Sequence, residues 1–210
     1  MRYFLILFLT CYFCAGQSVA VGVLGGGRLT SDVTSSATPE SRFYDVGASV
    51  ELGGFPHGLS VEVDALYHRQ GFLGGAGGSI FAITQSERAN SWEFPILGKY
   101  KLPLHTFALA GVAPRSITGR ITNYTSTLNQ TTDQEVFSTS TSKTQWPGSL
   151  GIVAGGGVRL GLGRLLLTPQ VRYTWWANMP INEFTMTEGQ PLQSSRNQVD
   201  LLLGIGWKFR

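Results

Sequence analysis

The chain ends in Asn197-Gln198-Val199-Asp200-Leu201-Leu202-Leu203-Gly204-Ile205-Gly206-Trp207-Lys208-Phe209, and this stretch decides the fold. From Val199 onward every second residue is large and apolar, and the residues between are mostly small or polar. A period of two is typical of a β-strand with one apolar face. Such a face could cover the core of a soluble sheet, or it could contact lipid with its terminal aromatic residues at the membrane interface.

The composition favours contact with lipid. Charged residues make up 14% of the 210 residues, and glycine is abundant at 27. Ordinary soluble domains contain roughly 25% charged residues. The length suits one domain. The Lys and Arg residues are scattered and the formal net charge is only +3, so nothing indicates a nucleic-acid partner.

The N-terminal residues are typical of a secretory signal peptide. Arg2 supplies a positive charge, and Tyr3–Phe13 is an apolar stretch too short for a transmembrane helix. Cleavage is expected after Gly16, which gives a signal peptide at 1–16 and one barrel domain at 17–210; cleavage after Ala20 is the alternative. Both cysteines precede Gly16, so we expect no disulfide and no cysteine metal site in the mature chain.

Period-two alternation recurs along the whole chain and predicts eight strands. They are Ser18–Leu29, Phe43–Leu52, Leu59–Gln70, Ser91–Leu102, His105–Arg115, Pro147–Leu160, Leu165–Trp176 and Asn197–Phe209. Most are about 10 to 14 residues long, close to the length of a tilted membrane-spanning strand. Long and short connections alternate, which is the pattern of an outer-membrane barrel with long outer loops and short periplasmic turns. An even number of strands puts both termini at the short-turn end.

Three local expectations accompany this assignment. Pro95 removes one backbone donor, so we predict a local bulge there. In the fifth strand Phe107, Leu109 and Ala113 fit the outer face, although Val112 breaks the pattern. The Gly-rich stretch 71–90 and the Thr/Ser/Asn-rich stretch 116–145 are predicted to be exposed loops, and the flanks of the second could extend the strands.

The same alternation assigns charged side chains to the barrel interior. Eight strands enclose a space that side chains just fill, and buried charges must be paired. We therefore predict a structural ion-pair network that plugs the lumen, with a gated ion path as the less favoured alternative. Its members are Arg28, Asp45, Glu51, Glu62, Asp64, Glu93, Lys99, Lys101, Arg159, Arg172, Asp200 and Lys208.

Aromatic residues near the strand ends predict girdles at the two membrane interfaces. These residues are Phe43, Tyr44, Trp92, Tyr100, Tyr173, Trp175, Trp207 and Phe209.

Three stretches resemble the small eight-stranded outer-membrane β-barrel family, OmpA-like in its membrane portion. Trp92-Glu93-Phe94-Pro95-Ile96-Leu97-Gly98-Lys99-Tyr100 looks like an aromatic-Glu-apolar-Pro-apolar fourth strand, and Leu66–Gly71 is similar to the exit of a third strand. The closing strand resembles the signal read by the barrel-insertion machinery, although Arg210 follows Phe209. The resemblance implies an all-β, closed, eight-stranded antiparallel up-and-down transmembrane barrel.

From these observations together we expect a monomer in the outer membrane of a Gram-negative bacterium. Its partners would be outer-membrane lipid, lipopolysaccharide and the insertion machinery, with no nucleic acid.

No catalytic, cofactor or metal pattern emerges from the sequence. His57 and His105 lie at the predicted turn end, and His68 faces inward near Glu93. No Ser lies two residues from a His on a lipid-facing side, which opposes a hydrolase at the rim. We predict a non-enzymatic structural or surface-interaction protein that acts through long loops on an unidentified partner. The alternatives are a lipid-modifying hydrolase at the rim, a narrow or gated solute pore, and a soluble small-ligand barrel with an apolar interior.

Overall fold

The computed structural model describes residues 18–30, 38–39, 44–77, 81–129, 134–144, 148–177, 182–184, 191–193 and 195–209. Its strands are β1 (Ser18–Arg28), β2 (Thr38–Pro39), β3 (Tyr44–Gly53), β4 (Leu59–Gly77), β5 (Phe81–Glu93), β6 (Ile96–Lys101), β7 (Thr106–Asn129), β8 (Gln134–Thr144), β9 (Ser149–Val158), β10 (Leu160–Leu162), β11 (Leu165–Trp176), β12 (Asn182–Phe184), β13 (Pro191–Gln193) and β14 (Asn197–Phe209). One 3-10 turn spans Pro56–Gly58. The predicted signal peptide, Phe43, Pro147 and Arg210 lie outside the described residues.

The long strands close into one antiparallel eight-stranded barrel. β5 and β6 form a single barrel strand, because both keep the same register against β4. In the same way β8, β9 and β10 form one barrel strand beside β7 and β11. β1 pairs with β14 from Val19↔Phe209 to Arg28↔Asp200, which joins the first edge of the sheet to the last. The predicted fold class is confirmed.

Exposure alternates along the strands, with apolar side chains outside and many charged side chains inside. In β14, Leu201 and Leu203 are 45% and 44% exposed, whereas Leu202 between them is 3% exposed. In β3 the carboxylate of Asp45 is buried and Val46 beside it is exposed. An apolar exterior around a charged interior is the reverse of a soluble protein. It is the arrangement of a barrel that spans a membrane, and it contradicts the soluble-barrel alternative.

No helix in the described part of the chain has the length and apolar character needed to cross a membrane.

The predicted orientation of the fifth barrel strand, which is β7, was wrong. Phe107, Leu109 and Ala113 are buried inside the barrel, whereas Val112 is 41% exposed. The register explains this, because Val112 lies between Ile96 and Ile152, which also face outward. This strand is apolar on both faces, so alternation alone could not show which face was which.

The bulge predicted at Pro95 was also wrong. Pro95 separates β5 from β6, but the pairs Leu66↔Glu93 and Val63↔Ile96 continue one register across it. The carbonyl oxygen of Pro95 still accepts a hydrogen bond from the backbone N–H of Asp64, at 2.9 Å. A proline in extended backbone lacks only the N–H donor, and its carbonyl oxygen can still accept a hydrogen bond from the neighbouring strand. The register shift in β5 lies instead between Arg88 and Asn90.

The stretches predicted as loops are largely strands. β4 and β5 remain paired out to Gly77↔Ala82, and β7 and β8 out to Asn129↔Gln134. At about 3.3 Å per residue, β5 therefore extends roughly 40 Å beyond Glu93. The Thr- and Ser-rich composition correctly indicated a polar segment, but Thr is also favoured in strands, so composition did not exclude a paired backbone. We call this extended part of the sheet the loop end, and the opposite rim the turn end.

Candidate functional site

The first group of buried charges surrounds Arg28 of β1, and we call it the Arg28 cluster. The guanidinium of Arg28 lies 3.2 Å from a carboxylate oxygen of Asp45, 3.0 Å from Glu93 and 3.3 Å from Asp200. These carboxylates come from β3, β5 and β14. Nδ1 of His68 lies 3.2 Å from the same oxygen of Asp45. All five side chains are buried. The guanidinium of Arg28 therefore binds carboxylates from three other strands of the barrel.

Arg115 and Gln198 extend this cluster across the lumen. Arg115 donates to Glu93 at 2.8 Å and also to the amide oxygen of Gln198. Gln198 donates in turn to Asp200 at 2.7 Å. The guanidinium of Arg115 stacks 3.5 Å from the ring of Trp176, whose indole N–H donates to Gln198 at 3.0 Å. Polar and aromatic groups thus contact one another directly in this buried cluster.

The second group surrounds Arg172 and Lys99, and we call it the Arg172 cluster. Arg172 donates to Asp64 at 2.7 Å and to Glu62 at 3.0 Å. Lys99 binds Glu62 directly and lies 3.5 Å from Glu51. Charge-assisted hydrogen bonds of this kind are the strong ones inside a protein.

Arg159 completes the second cluster at the turn end. It donates to both carboxylate oxygens of Glu51, at 2.6 and 2.5 Å, while one third of its own side chain stays exposed. Its guanidinium and the ammonium of Lys99 both lie over the ring of Phe107. The Arg172 cluster therefore pairs three bases with three carboxylates, whereas the Arg28 cluster contains three carboxylates with two arginines and His68.

All but two of the residues predicted for the lumen network lie in these ion pairs. The ten are Arg28, Asp45, Glu51, Glu62, Asp64, Glu93, Lys99, Arg159, Arg172 and Asp200. Lys101 and Lys208 were assigned wrongly, because both are exposed. Alternation does place both on the inward face of their strands. Each, however, is one of the last two residues of its strand at the turn end, beyond the buried part of the lumen.

Sequence reasoning missed three members of the Arg28 cluster. Arg115 was left out because the inward and outward faces of the fifth barrel strand, β7, were exchanged. If Val112 is taken as facing outward, alternation places Arg115 inside the barrel. Gln198 and Trp176 carry no formal charge, so a search for ion pairs passed over them. His68 was correctly placed inward near Glu93, but its neighbour Asp45 could be recognised only from the register of β3 with β4.

Apolar side chains also lie in the interior, beside the charged clusters. One buried cluster contains Leu24, Leu66 and Leu202. Another contains Leu97, Phe107, Leu109, Ala113, Val153 and Trp176. On β9, Gly155 and Gly157 allow the close approach of β11, since a Cβ at either position would lie within 2.3 Å of a backbone oxygen on that strand.

A row of Asp45, His68 and Ser91 crosses three neighbouring strands and has the residue types of a nucleophilic triad. Its geometry differs from that of a triad, because the Ser91 hydroxyl has no hydrogen-bond partner within the described residues. Ser91 is also fully buried. A nucleophile needs a base beside its hydroxyl and access for its substrate, and neither condition is met. Among the described side chains no group of three His, Cys, Asp or Glu is arranged to hold a metal ion.

The aromatic residues predicted for the girdles lie on the outer surface where the structure describes them. Tyr44, Trp92, Tyr100, Tyr173, Trp175, Trp207 and Phe209 are 39–52% exposed. Trp92 packs against Tyr67 at 5.3 Å and stacks on Phe94 at 6.5 Å between ring centroids. Tyr67 and Tyr173 direct their hydroxyls to Asn90 and Asn197. Rings with an apolar body and a hydrogen-bonded tip suit a membrane interface.

No protein-family model matches the chain, and no curated protein is significantly similar to it. Among solved structures it is similar to the outer membrane protein OprG from Pseudomonas aeruginosa, with 15% identity, coverage of 93% of this chain and 97% of that chain, and a TM-score of 0.49. Ail, the attachment invasion locus protein of Yersinia pestis, is 11% identical, with 92% and 99% covered and a TM-score of 0.44. A major outer membrane protein from Thermus thermophilus is 12% identical, with 91% and 99% covered and a TM-score of 0.46. Likenesses this distant carry no argument about what the chain binds or does.

Proposed function

We propose that the chain is an outer-membrane barrel with a plugged polar lumen. On this proposal it is a structural or surface-interaction protein that works through its loop end and performs no catalysis. The strongest support is that ion pairs cross the lumen instead of following its wall. Arg172 on the seventh barrel strand reaches Asp64 on the third, and Arg159 at the end of the sixth reaches Glu51 on the second. Strands four apart in a ring of eight are opposite each other, so these side chains lie across the diameter.

The plug has a direct electrical test. In a planar lipid bilayer we expect the purified chain to pass no steady current. The double variant Arg159→Ala/Arg172→Ala removes the two side chains that reach the opposite strand, leaving the Arg28 cluster across the lumen, and should pass more small ions than the unmodified chain, whereas Lys208→Ala, an exposed lysine, should stay closed. A steady current through the unmodified chain would favour the gated-pore alternative instead.

The surface role is supported by the paired strands of the loop end, which present a large extended sheet outside the barrel. In a variant with residues 121–144 replaced by a short turn, the barrel should still form, because the described pairs of β7 with β9 involve only residues 106–115 of β7. The intact chain, displayed in membranes, should capture partners that this variant does not. Equal capture by both chains would contradict a role for the loop end.

The absence of catalysis is tested with lipid substrates. We expect no fatty acid to be released when the reconstituted chain is incubated with lipopolysaccharide or phospholipid. Release that is abolished by His68→Ala and by Ser91→Ala would establish the hydrolase alternative and overturn this part of the proposal.

A further inference from the structure

The charges of the Arg28 cluster balance only when its histidine carries a proton. The cluster contains three carboxylates and two guanidinium groups, which belong to Asp45, Glu93, Asp200, Arg28 and Arg115. None of these residues, nor His68 beside them, is more than 5% exposed. With a neutral imidazole, three negative charges would face two positive charges away from water. An uncompensated charge in such a place is costly.

The strands that complete the ring supply no spare positive charge to this cluster from the side chains that the structure describes. The sequence of β9, from Ser149 to Val158, has no titratable residue. β6 and β11 contribute the buried bases Lys99 and Arg172, but both are bound to carboxylates of the Arg172 cluster. In that cluster three bases already meet three carboxylates. His68 is therefore the described side chain placed to supply the missing charge.

Asp45 is the carboxylate with the weakest compensation. Glu93 binds two guanidinium groups, at 3.0 and 2.8 Å, and Asp200 binds Arg28 and a side-chain amide. Asp45 shares Arg28 with both of them, at 3.2 Å, and its Oδ2 atom has no hydrogen-bond partner among the described residues. Nδ1 of His68 lies 3.2 Å from the other oxygen, Oδ1. The imidazole is thus next to the carboxylate that needs a further positive charge.

The surroundings of the ring suit a protonated imidazole. Nδ1 of His68 lies 3.2 Å from the backbone carbonyl oxygen of Tyr44 as well as from the carboxylate of Asp45. Both neighbours are acceptors, so Nδ1 carries a hydrogen. A positive charge on the ring strengthens both contacts, because charge-assisted hydrogen bonds are stronger than neutral ones.

We propose that the Arg28 cluster is a proton-binding site and that His68 holds the proton at neutral pH. Three positive charges then balance three negative charges inside the barrel. The inference rests on the closed lumen of the proposed function and adds the charge state that keeps this part of the lumen neutral.

Nuclear magnetic resonance measures the protonation directly. The chain is labelled with 15N in its histidines, folded in zwitterionic detergent micelles and examined at about pH 7.5, above the ordinary histidine pKa of roughly 6.5. We expect both ring nitrogens of His68 to give imidazolium signals, whereas the exposed His57 and His105 give signals of the neutral ring. His57→Asn and His105→Asn assign the signals. A neutral His68 would overturn the proposal.

The pH dependence of stability gives a second measurement. Above a pH of about 6.5 the histidine is neutral in the unfolded chain, so folding takes up a proton. The folding equilibrium constant should therefore fall as the pH rises, by up to about tenfold per pH unit, in urea titrations between about pH 7 and pH 9. His68→Gln should abolish this slope. His57→Asn is the matched control and should keep it, because His57 is exposed and Asn tolerates its positive φ.

A second variant covers the case in which His68→Gln does not fold. His68→Gln/Asp45→Asn leaves two carboxylates facing two arginines, so its charges balance without a proton, and it should show no slope either. A slope that persists without His68 and disappears in Asp200→Asn would place the proton on a carboxyl group and overturn the proposal.

The outcomes separate the proton from the plug. A neutral His68 in a barrel that passes no current in the planar bilayer would overturn the proton site alone. A steady current through the unmodified chain would instead contradict the closed lumen of the proposed function.

Discussion

Glu93 shows how much of the interior depends on one side chain. One of its carboxylate oxygens accepts from Arg28 at 3.0 Å and from Arg115 at 2.8 Å, and the residue is 3% exposed. Without that charge, two buried guanidinium groups would lose a common partner. A buried charge that loses its partner is far more costly than the intact pair is favourable.

We therefore expect Glu93→Gln to lower the free energy of unfolding by about 3–5 kcal/mol. Urea titration of the barrel in zwitterionic detergent micelles, followed by the heat-dependent shift in gel mobility, measures this. The control is Lys208→Gln, which the sequence assigned to the same network but which lies exposed; its effect should stay within about 0.5 kcal/mol. Equal effects of the two variants would contradict the buried contacts of Glu93 with Arg28 and Arg115.

Two adjacent glycines in β1 differ sharply in the space around them. A Cβ at Gly26 would lie 1.9 Å from the backbone oxygen of Leu201, whereas a Cβ at Gly25 would meet nothing within 4 Å. Gly26 lies on the inward face of β1, and Gly25 lies on the face turned to lipid. Only the first is needed for the close approach of β1 to β14.

Gly26→Ala should consequently destabilise the barrel by about 1–3 kcal/mol, since backbone must move to admit the methyl group. Gly25→Ala should have little effect, or stabilise slightly by restricting the unfolded chain. The same unfolding titration compares them. If Gly25→Ala proved the more harmful, the inward and outward assignment of β1 would be reversed.

Among the elements, β4, β5, β7 and β8 depart most from expectation. Their outer parts were predicted to be loops, from glycine content in 71–90 and from Thr, Ser and Asn content in 116–145, yet their backbones pair strand to strand beyond the rim. A polar composition indicates contact with water, but a sheet that is solvated on both faces is equally polar. Pairing with a neighbour is not visible in a single strand.

Hydrogen exchange of the reconstituted chain tests these extensions. Amides of residues 121–128 in β7 should be protected, because β7 lies between β5 and β8 there. The Leu104–His105 turn provides the unprotected reference within the same molecule. Exchange at 121–128 as fast as in that turn would restore the loop assignment.

At the scale of the whole molecule, the seam between β1 and β14 turns a sheet into a barrel. The pair Val23↔Ile205 lies in this seam on the lipid-facing side, with both residues exposed. Arg28 and Asp200 join the same two strands from inside at 3.3 Å. Closure removes the free edges that a membrane cannot solvate.

In a Cys11→Ser/Cys14→Ser background, Val23→Cys/Ile205→Cys should form a disulfide under mild oxidation without loss of the compact barrel. Directly opposed residues have Cβ atoms about 4.5–5.5 Å apart, close enough for the bond after a small adjustment. Val23→Cys/Leu201→Cys, displaced by four residues along β14, should not crosslink. Crosslinking of the displaced pair alone would mean that the seam closes in another register.

The sequence by itself determined the strands around the barrel, their apolar exterior and charged interior, and ten of the interior charges. It could do so because alternation of apolar and polar residues is a local property of each strand. It did not determine the phase of the strand that contains Phe107 and Val112, since both faces there are apolar. Which carboxylate meets which base was decided only by closure: Arg172 and Asp64 lie more than a hundred positions apart. Their meeting depends on the ring of strands and its register, which no single segment contains.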